Sequence, residues 1–127
     1  MPKYLMFKHY RGPRVPEIAP EQWSPEDWQA HMAYMEDFAE RLRGSGEFVT
    51  SIALSDEGEW VRHSADGQPP ESDGPLEESK ELVAGLMIID VADHDRALSL
   101  AGELSAAPGP GGEPLREWLE LRPVMGD

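Results

Sequence analysis

The chain has 127 residues and a mass of 14.1 kDa, the size of one domain. Its 25 acidic side chains against 11 Lys and Arg give a formal charge of -14, a field that repels nucleic-acid phosphates and anionic membrane surfaces. The absence of cysteine excludes disulfides, thiolate metal sites and Cys nucleophiles. No apolar run approaches the roughly 18 residues a membrane-spanning helix needs. Met1-Pro2-Lys3-Tyr4 lacks the layout of a signal peptide, so a cytoplasmic address is expected.

Lys3 to Tyr10 alternates as a strand, with Leu5, Phe7 and His9 on one face and Tyr4, Met6, Lys8 and Tyr10 on the other. Both faces are substantially apolar, which places this strand inside a sheet. Prolines 13, 16 and 20 then keep the chain irregular. Ser24-Pro25-Glu26-Asp27 supplies an N-cap hydroxyl, a proline at the first helical position and acids at the positive end of the dipole. The spacing predicts a helix to about Arg43, with Trp28, Met32, Met35, Ala39 and Leu42 as its buried stripe, Phe38 beside them and His31 at the border. Gly44-Ser45-Gly46 ends it.

The acidity is concentrated later: residues 1–45 hold six basic and seven acidic side chains, residues 46–127 five and eighteen. Glu47 to Leu54 reads as a second strand, and Trp60 to His63 as the return arm of a hairpin or an edge strand. Ser64 to Ser72 reads as a flexible tract. Asp73-Gly74-Pro75-Leu76 specifies a tight turn. Leu82 to Val91 is apolar nearly throughout, as a central strand covered on both faces would be. Asp93 caps a second helix with Ala97, Leu100, Ala101 and Leu104 inward. Residues 108–114 are a Pro-Gly loop without the Lys and Ser/Thr of a phosphate cradle, and Arg116 to Arg122 alternates as a closing strand. The order is an α+β fold of the ferredoxin-like βαββαβ kind with an extra hairpin arm, one domain over 1–127. With both helices on one face, Tyr4, Met6 and Trp118 are expected on the open face, and a homodimer is expected to cover it.

Among the side chains that carry chemistry, His31 is the histidine on a marked helix. It suits a general acid or base poised near neutrality, or a core-margin histidine with one ring nitrogen hydrogen-bonded. Asp73 with Lys80 suits a grip on a carboxylate or enolate; alternatively Asp73 caps its own turn and Lys80 pairs with Glu77 or Glu81. His9 ends the first strand, where ligands often meet a sheet. Arg122 on the last strand is the cation expected to face an anion in a dimer cavity. The histidines lack the His-x-His or His-x₃-His spacing of a metal site, so neither a metal nor another cofactor is expected.

Asp73-Gly74-Pro75-Leu76-Glu77-Glu78-Ser79-Lys80-Glu81, Gly85 to Asp90 and Glu120-Leu121-Arg122-Pro123-Val124 resemble the YCII-related proteins, specifically their DGPF branch, with Leu76 where the family usually has Phe. The resemblance implies a dimeric α+β barrel with two sheets packed face to face. It further implies a catalytic pair formed by a His on the first helix and an Asp after the second strand, for which His31 and Asp56 are the nearest candidates. Met35, one helical turn on, is the aligned position. A small hydroxylated or carboxylated organic molecule is the expected ligand or substrate. DGPF relatives also resemble proteins encoded beside sigma factors of the extracytoplasmic-function type, which implies a regulatory accessory role as the alternative.

Overall fold

The computed structural model describes residues 2–11, 23–75 and 82–126. Its elements in chain order are β1 (Lys3–Arg11), α1 (Pro25–Ser45), β2 (Phe48–Ala53), β3 (Trp60–Arg62), β4 (Glu71–Asp73), β5 (Leu82–Asp90), α2 (His94–Ser105) and β6 (Glu120–Pro123), with one 3₁₀ turn at Pro110–Gly112. Four strands make one sheet in the order β2-β5-β1-β6, and each neighbouring pair is antiparallel. β3 and β4 pair only with each other, as a separate arm. The protein is therefore a mixed α+β fold built on an antiparallel sheet.

The capping signals act as their chemistry requires. Ser24 Oγ accepts the Asp27 amide at 3.1 Å while the Asp27 carboxylate accepts the Ser24 amide at 3.3 Å, which satisfies two of the first helical N–H groups reciprocally. Gly46, at φ 84°, closes α1 in the left-handed conformation that glycine tolerates. Asp93 receives the Arg96 amide at the start of α2. The core is one cluster formed by Met6 of β1, Phe38 and Leu42 of α1, Met87 and Ile89 of β5, Val91, and Ala97, Leu100 and Leu104 of α2.

Three expectations are corrected. The buried line of α1 runs through His31, Phe38 and Leu42, with Met35 packed against the core, whereas Trp28 and Met32 are exposed. The stripe is rotated because residues 106–115 cover the first turns of the helix and draw His31 inward. Met6 and Tyr4 face the helices, not the open side; β1 is apolar on both faces, so alternation defines two faces without deciding which one meets the helices. Glu71–Asp73, which spans the end of the tract read as flexible and the first residue of the turn read at Asp73, is a strand, and it is the partner of Trp60–Arg62.

Residues directly opposite across an antiparallel ladder share a face. Leu5 opposes Ile88 and Arg122, Phe7 opposes Leu86 and Glu120, and Ile52 opposes Leu86. These side chains form the face turned away from the helix-side core. No layer covers them among the described residues, so β5 is buried on one face and only half-buried on the other.

Candidate functional site

Every second residue of β1 faces the helices, and after Tyr4 and Met6 the next is Lys8. An ammonium in that row requires a partner. Lys8 Nζ lies 3.1 Å from Glu117 Oε1 and donates to the Met35 thioether at 3.6 Å, and both charged side chains are about one-fifth exposed (21% and 20%). Glu117 Oε1 is close to the ammonium but off the angle of a hydrogen bond, so this is an ion pair without a well-directed donor. It borders His31, one turn before Met35 on α1.

His31 is 8% exposed. Its Nδ1 lies 3.0 Å from the Pro108 carbonyl oxygen. A carbonyl can only accept, so Nδ1 carries the proton and Nε2 holds the lone pair of the neutral ring. No described residue hydrogen-bonds Nε2. The ring meets Trp23 and Trp28 edge-on, with centroids 5.3 and 6.1 Å away. Burial holds the imidazole pKa below its ordinary value; the Pro108 hydrogen bond opposes this, the Lys8 charge adds to it and the Glu117 charge opposes it. The loop is fixed from the other side as well, by the Gly111 amide donating to Asp27 Oδ1 at 3.2 Å. The arrangement is a neutral imidazole of fixed tautomer beside an internal ion pair, which can take a proton at Nε2 and return it.

The other expected site residues lie elsewhere. Asp56 is in the exposed turn between β2 and β3, and Asp73 ends β4 on the arm. The Asp73 carboxylate hydrogen-bonds no described residue. It borders two open depressions of about 540 Å³ each, one with Gly58, Glu59 and Pro75 and one with Trp60 and Arg62. Lys80 lies outside the described residues. His9 and Arg122 do come together on the open sheet face, through Glu120: His9 Nε2 is 3.3 Å from Glu120 Oε1 and Arg122 Nη1 is 3.5 Å from Glu120 Oε2. The sheet thus separates His31 from His9 and Arg122. The charged neighbours acting on His31 are Lys8 and Glu117, not Asp56 or Asp73.

Lys8 and Glu117 are the members of this site that sequence reasoning missed. The one signal for Lys8 was its place in the inward row Tyr4, Met6, Lys8. Glu117 had none, because its partner is distant in the chain. No three His, Asp or Glu side chains among the described residues converge as a metal site requires, and no helix there is long and apolar enough to cross a membrane.

The model of the YCII-related domain matches residues 3–110. The chain belongs to the YCII-related family. An uncharacterized protein of Rhizobium meliloti (strain 1021) is 30% identical over 110 residues, covering 85% of this chain and 84% of its own. His31, Met35 and Lys8 fall within the YCII-related match; Glu117 and Arg122 lie beyond its end.

Proposed function

We propose that this YCII-related protein is a homodimer that binds, and transforms by proton transfer, a small hydroxylated or carboxylated organic molecule, with Nε2 of His31 as the acid-base group. The observation that carries this reading is the His31 ring itself: buried, kept neutral, anchored through Nδ1 to Pro108, and without a described partner at Nε2. Lys8 supplies a cation beside it, and Glu117 takes the electrostatic part that the family resemblance gives to an aspartate. Asp56 and Asp73, in the exposed turn after β2 and at the end of β4, take no part in this reading.

The dimer is supported by the open face, where Leu5, Phe7, Leu86 and Ile88 would otherwise stay half in water. The strand order β2-β5-β1-β6 is the order a ferredoxin-like βαββαβ sheet adopts, and two such sheets face to face would make the dimeric barrel, with His9, Glu120 and Arg122 inside. Sedimentation at micromolar concentration is expected to give twice the 14.1 kDa chain mass; a monomer removes the barrel from the reading. Asp73-Gly74-Pro75 supports assignment to the DGPF branch under the same reading.

The function is tested by following the His31 ring resonances while a panel of hydroxy and keto acids is added. Saturable shifts at His31 accompanied by turnover, with the turnover lost in His31→Ala, are expected. A panel that leaves His31 unmoved overturns the proposal. One feature favours the regulatory alternative: Trp60 and Val61 on the arm are 65% and 61% exposed, as a partner-binding element would be. Co-elution with a sigma factor, abolished by Trp60→Ala, is the outcome that would select it.

A further inference from the structure

We propose that the outer edge of β3 is a docking site for an extended basic segment of another protein, which adds to the β3–β4 arm as a third strand. The site is separate from His31, and it rests on the regulatory reading of the arm only in taking a protein as the partner. The arm is unfinished as it stands. Its two strands are three residues long, pair only with each other and do not join the four-stranded sheet. All six residues are exposed, so the arm buries no apolar face. A two-stranded ribbon is marginal in water and becomes stable when a third strand or a packed layer is added. Outside their mutual ladder, Trp60–Arg62 and Glu71–Asp73 make no backbone hydrogen bond among the described residues, so each strand turns one row of N–H and C=O groups outward.

The two edges differ. β4 carries Glu71 and Asp73, and charges along an edge protect it from pairing. β3 carries Trp60 and Val61, 65% and 61% exposed, and its one charge, Arg62, is already held by Glu71. An aromatic and a β-branched side chain at consecutive positions, one on each face, are what a neighbouring strand packs on. The edge of β3 is thus an unprotected template for strand addition. Trp60 shares its face with Asp73 directly opposite, and both bound the depression of about 540 Å³ on that side of the arm. A Lys of the incoming strand rests its stem on the indole and carries its ammonium over the ring toward the Asp73 carboxylate. The next side chain of that strand falls on the other face and meets Val61.

Charge decides the occupant. Residues 55–75 carry six acids, Asp56, Glu57, Glu59, Asp66, Glu71 and Asp73, against Arg62 as the one Lys or Arg. A second copy of the chain would bring the same acids to the same edge, within a formal charge of -14 on each copy, and a nucleic acid is repelled likewise. A segment that alternates Lys or Arg with apolar residues matches the backbone row, the apolar pair Trp60 and Val61, and the surrounding negative field together.

The probe is acetyl-Lys-Val-Lys-Val-Lys-amide, added to the full-length chain while backbone amide and indole N–H resonances are followed. Its controls are the block isomer acetyl-Lys-Lys-Lys-Val-Val-amide, of equal charge and composition, and acetyl-Glu-Val-Glu-Val-Glu-amide. The expected result is a saturable shift of the Trp60 indole and the Trp60–Arg62 amides, slower hydrogen exchange across the arm, and affinity about tenfold or more above either control. Trp60→Ala should weaken binding about fivefold, the size of a lost cation–π and cross-strand contact. Val61→Lys, which places a protecting charge on the edge, should weaken it about tenfold or more. Both positions are exposed, so both variants should melt with the parent. The proposal is overturned if the alternating peptide gives no saturable shift on the arm up to millimolar concentration, if both variants bind like the parent, or if the block isomer binds as tightly, which leaves only counter-ion attraction. A dimer that Val61→Lys dissociates assigns the edge to a second copy and also overturns it. Shifts confined to Trp23, Trp28 and His31 overturn it while leaving the His31 reading intact; binding on the arm in a protein whose His31 responds to no hydroxy or keto acid supports the docking site alone.

Discussion

Removing the His31 imidazole disturbs three contacts at once, and their sum can be worked out. The ring is nearly buried, donates to the Pro108 carbonyl at 3.0 Å and meets Trp23 and Trp28 edge-on. His31→Ala leaves the carbonyl unpaired, a loss of about 1–3 kcal/mol when water cannot replace the donor. Each edge-to-face ring contact adds about 0.5–1.5 kcal/mol. Pro108 is half-buried and Trp28 is exposed, so water recovers part of the loss, and about 2–3 kcal/mol is expected at pH 8. His31→Gln keeps a donor for Pro108 and should cost about half as much.

The pH dependence carries a definite sign. Burial lowers the His31 pKa in the folded protein below the ordinary value of 6.5, so as pH falls the unfolded chain takes up the proton first. Stability from the neutral ring is complete above pH 6.5 and declines as pH drops below it toward the folded value. His31→Ala lacks this titration, so the gap between parent and variant should narrow from pH 8 to pH 5. Urea unfolding followed by tryptophan fluorescence measures both quantities. A gap that stays flat or widens on acidification would refute the burial argument, as would a cost at pH 8 below about 0.5 kcal/mol, the level of an ordinary surface substitution.

Gly85→Ala should destabilise the protein by about 1–3 kcal/mol, because its Cβ would sit 2.8 Å from the Ile52 carbonyl oxygen of the neighbouring strand; hydrogen exchange should show β2 amides losing protection first. Glu47 joins the end of α1 to the start of α2 by accepting two hydrogen bonds from Arg96, at 2.8 and 2.9 Å, and chiefly for that reason its carboxyl titrates below its ordinary value of 4.5. Glu47→Gln should cost about 1 kcal/mol at neutral pH, discounted for the exposed guanidinium. That difference is present above pH 4.5 and should disappear in thermal melts as pH falls through the folded value.

Sequence was most informative where one residue type has one local job. Ser24, Pro25 and Asp27 marked the start of α1, Asp93 that of α2, and the apolar run Leu82 to Val91 an inner strand, although the coverage expected on both its faces is only half present on one, because caps and apolar runs act within a few residues. Long-range choices were not legible. Lys3 to Tyr10 alternates equally well with either face inward, and the helices decide between them. Trp28 and Met32 are more apolar than His31, yet His31 is the buried one, because a carbonyl at Pro108 and a loop that begins beyond α2 complete its surroundings. Glu71–Asp73 is a strand only because Trp60–Arg62 lies alongside; its own composition of two acids and a serine gives no β signal. The site follows the same logic: His31 could be singled out on its helix, whereas Glu117 gained its role from a partner on β1.

The segment after α2 ties these groups together: Pro108 holds the His31 ring, Ser105 holds the backbone of Arg116 and Glu117, and the Glu117 side chain reaches Lys8. The Glu117 charge holds the His31 pKa up against burial and against the Lys8 ammonium. Glu117→Gln removes that negative charge and leaves Lys8 unopposed, so the His31 ring should titrate at lower pH than in the parent when its resonances are followed by NMR. A His31 ring that titrates at the parent value or above it in Glu117→Gln would refute the coupling between the ion pair and the imidazole.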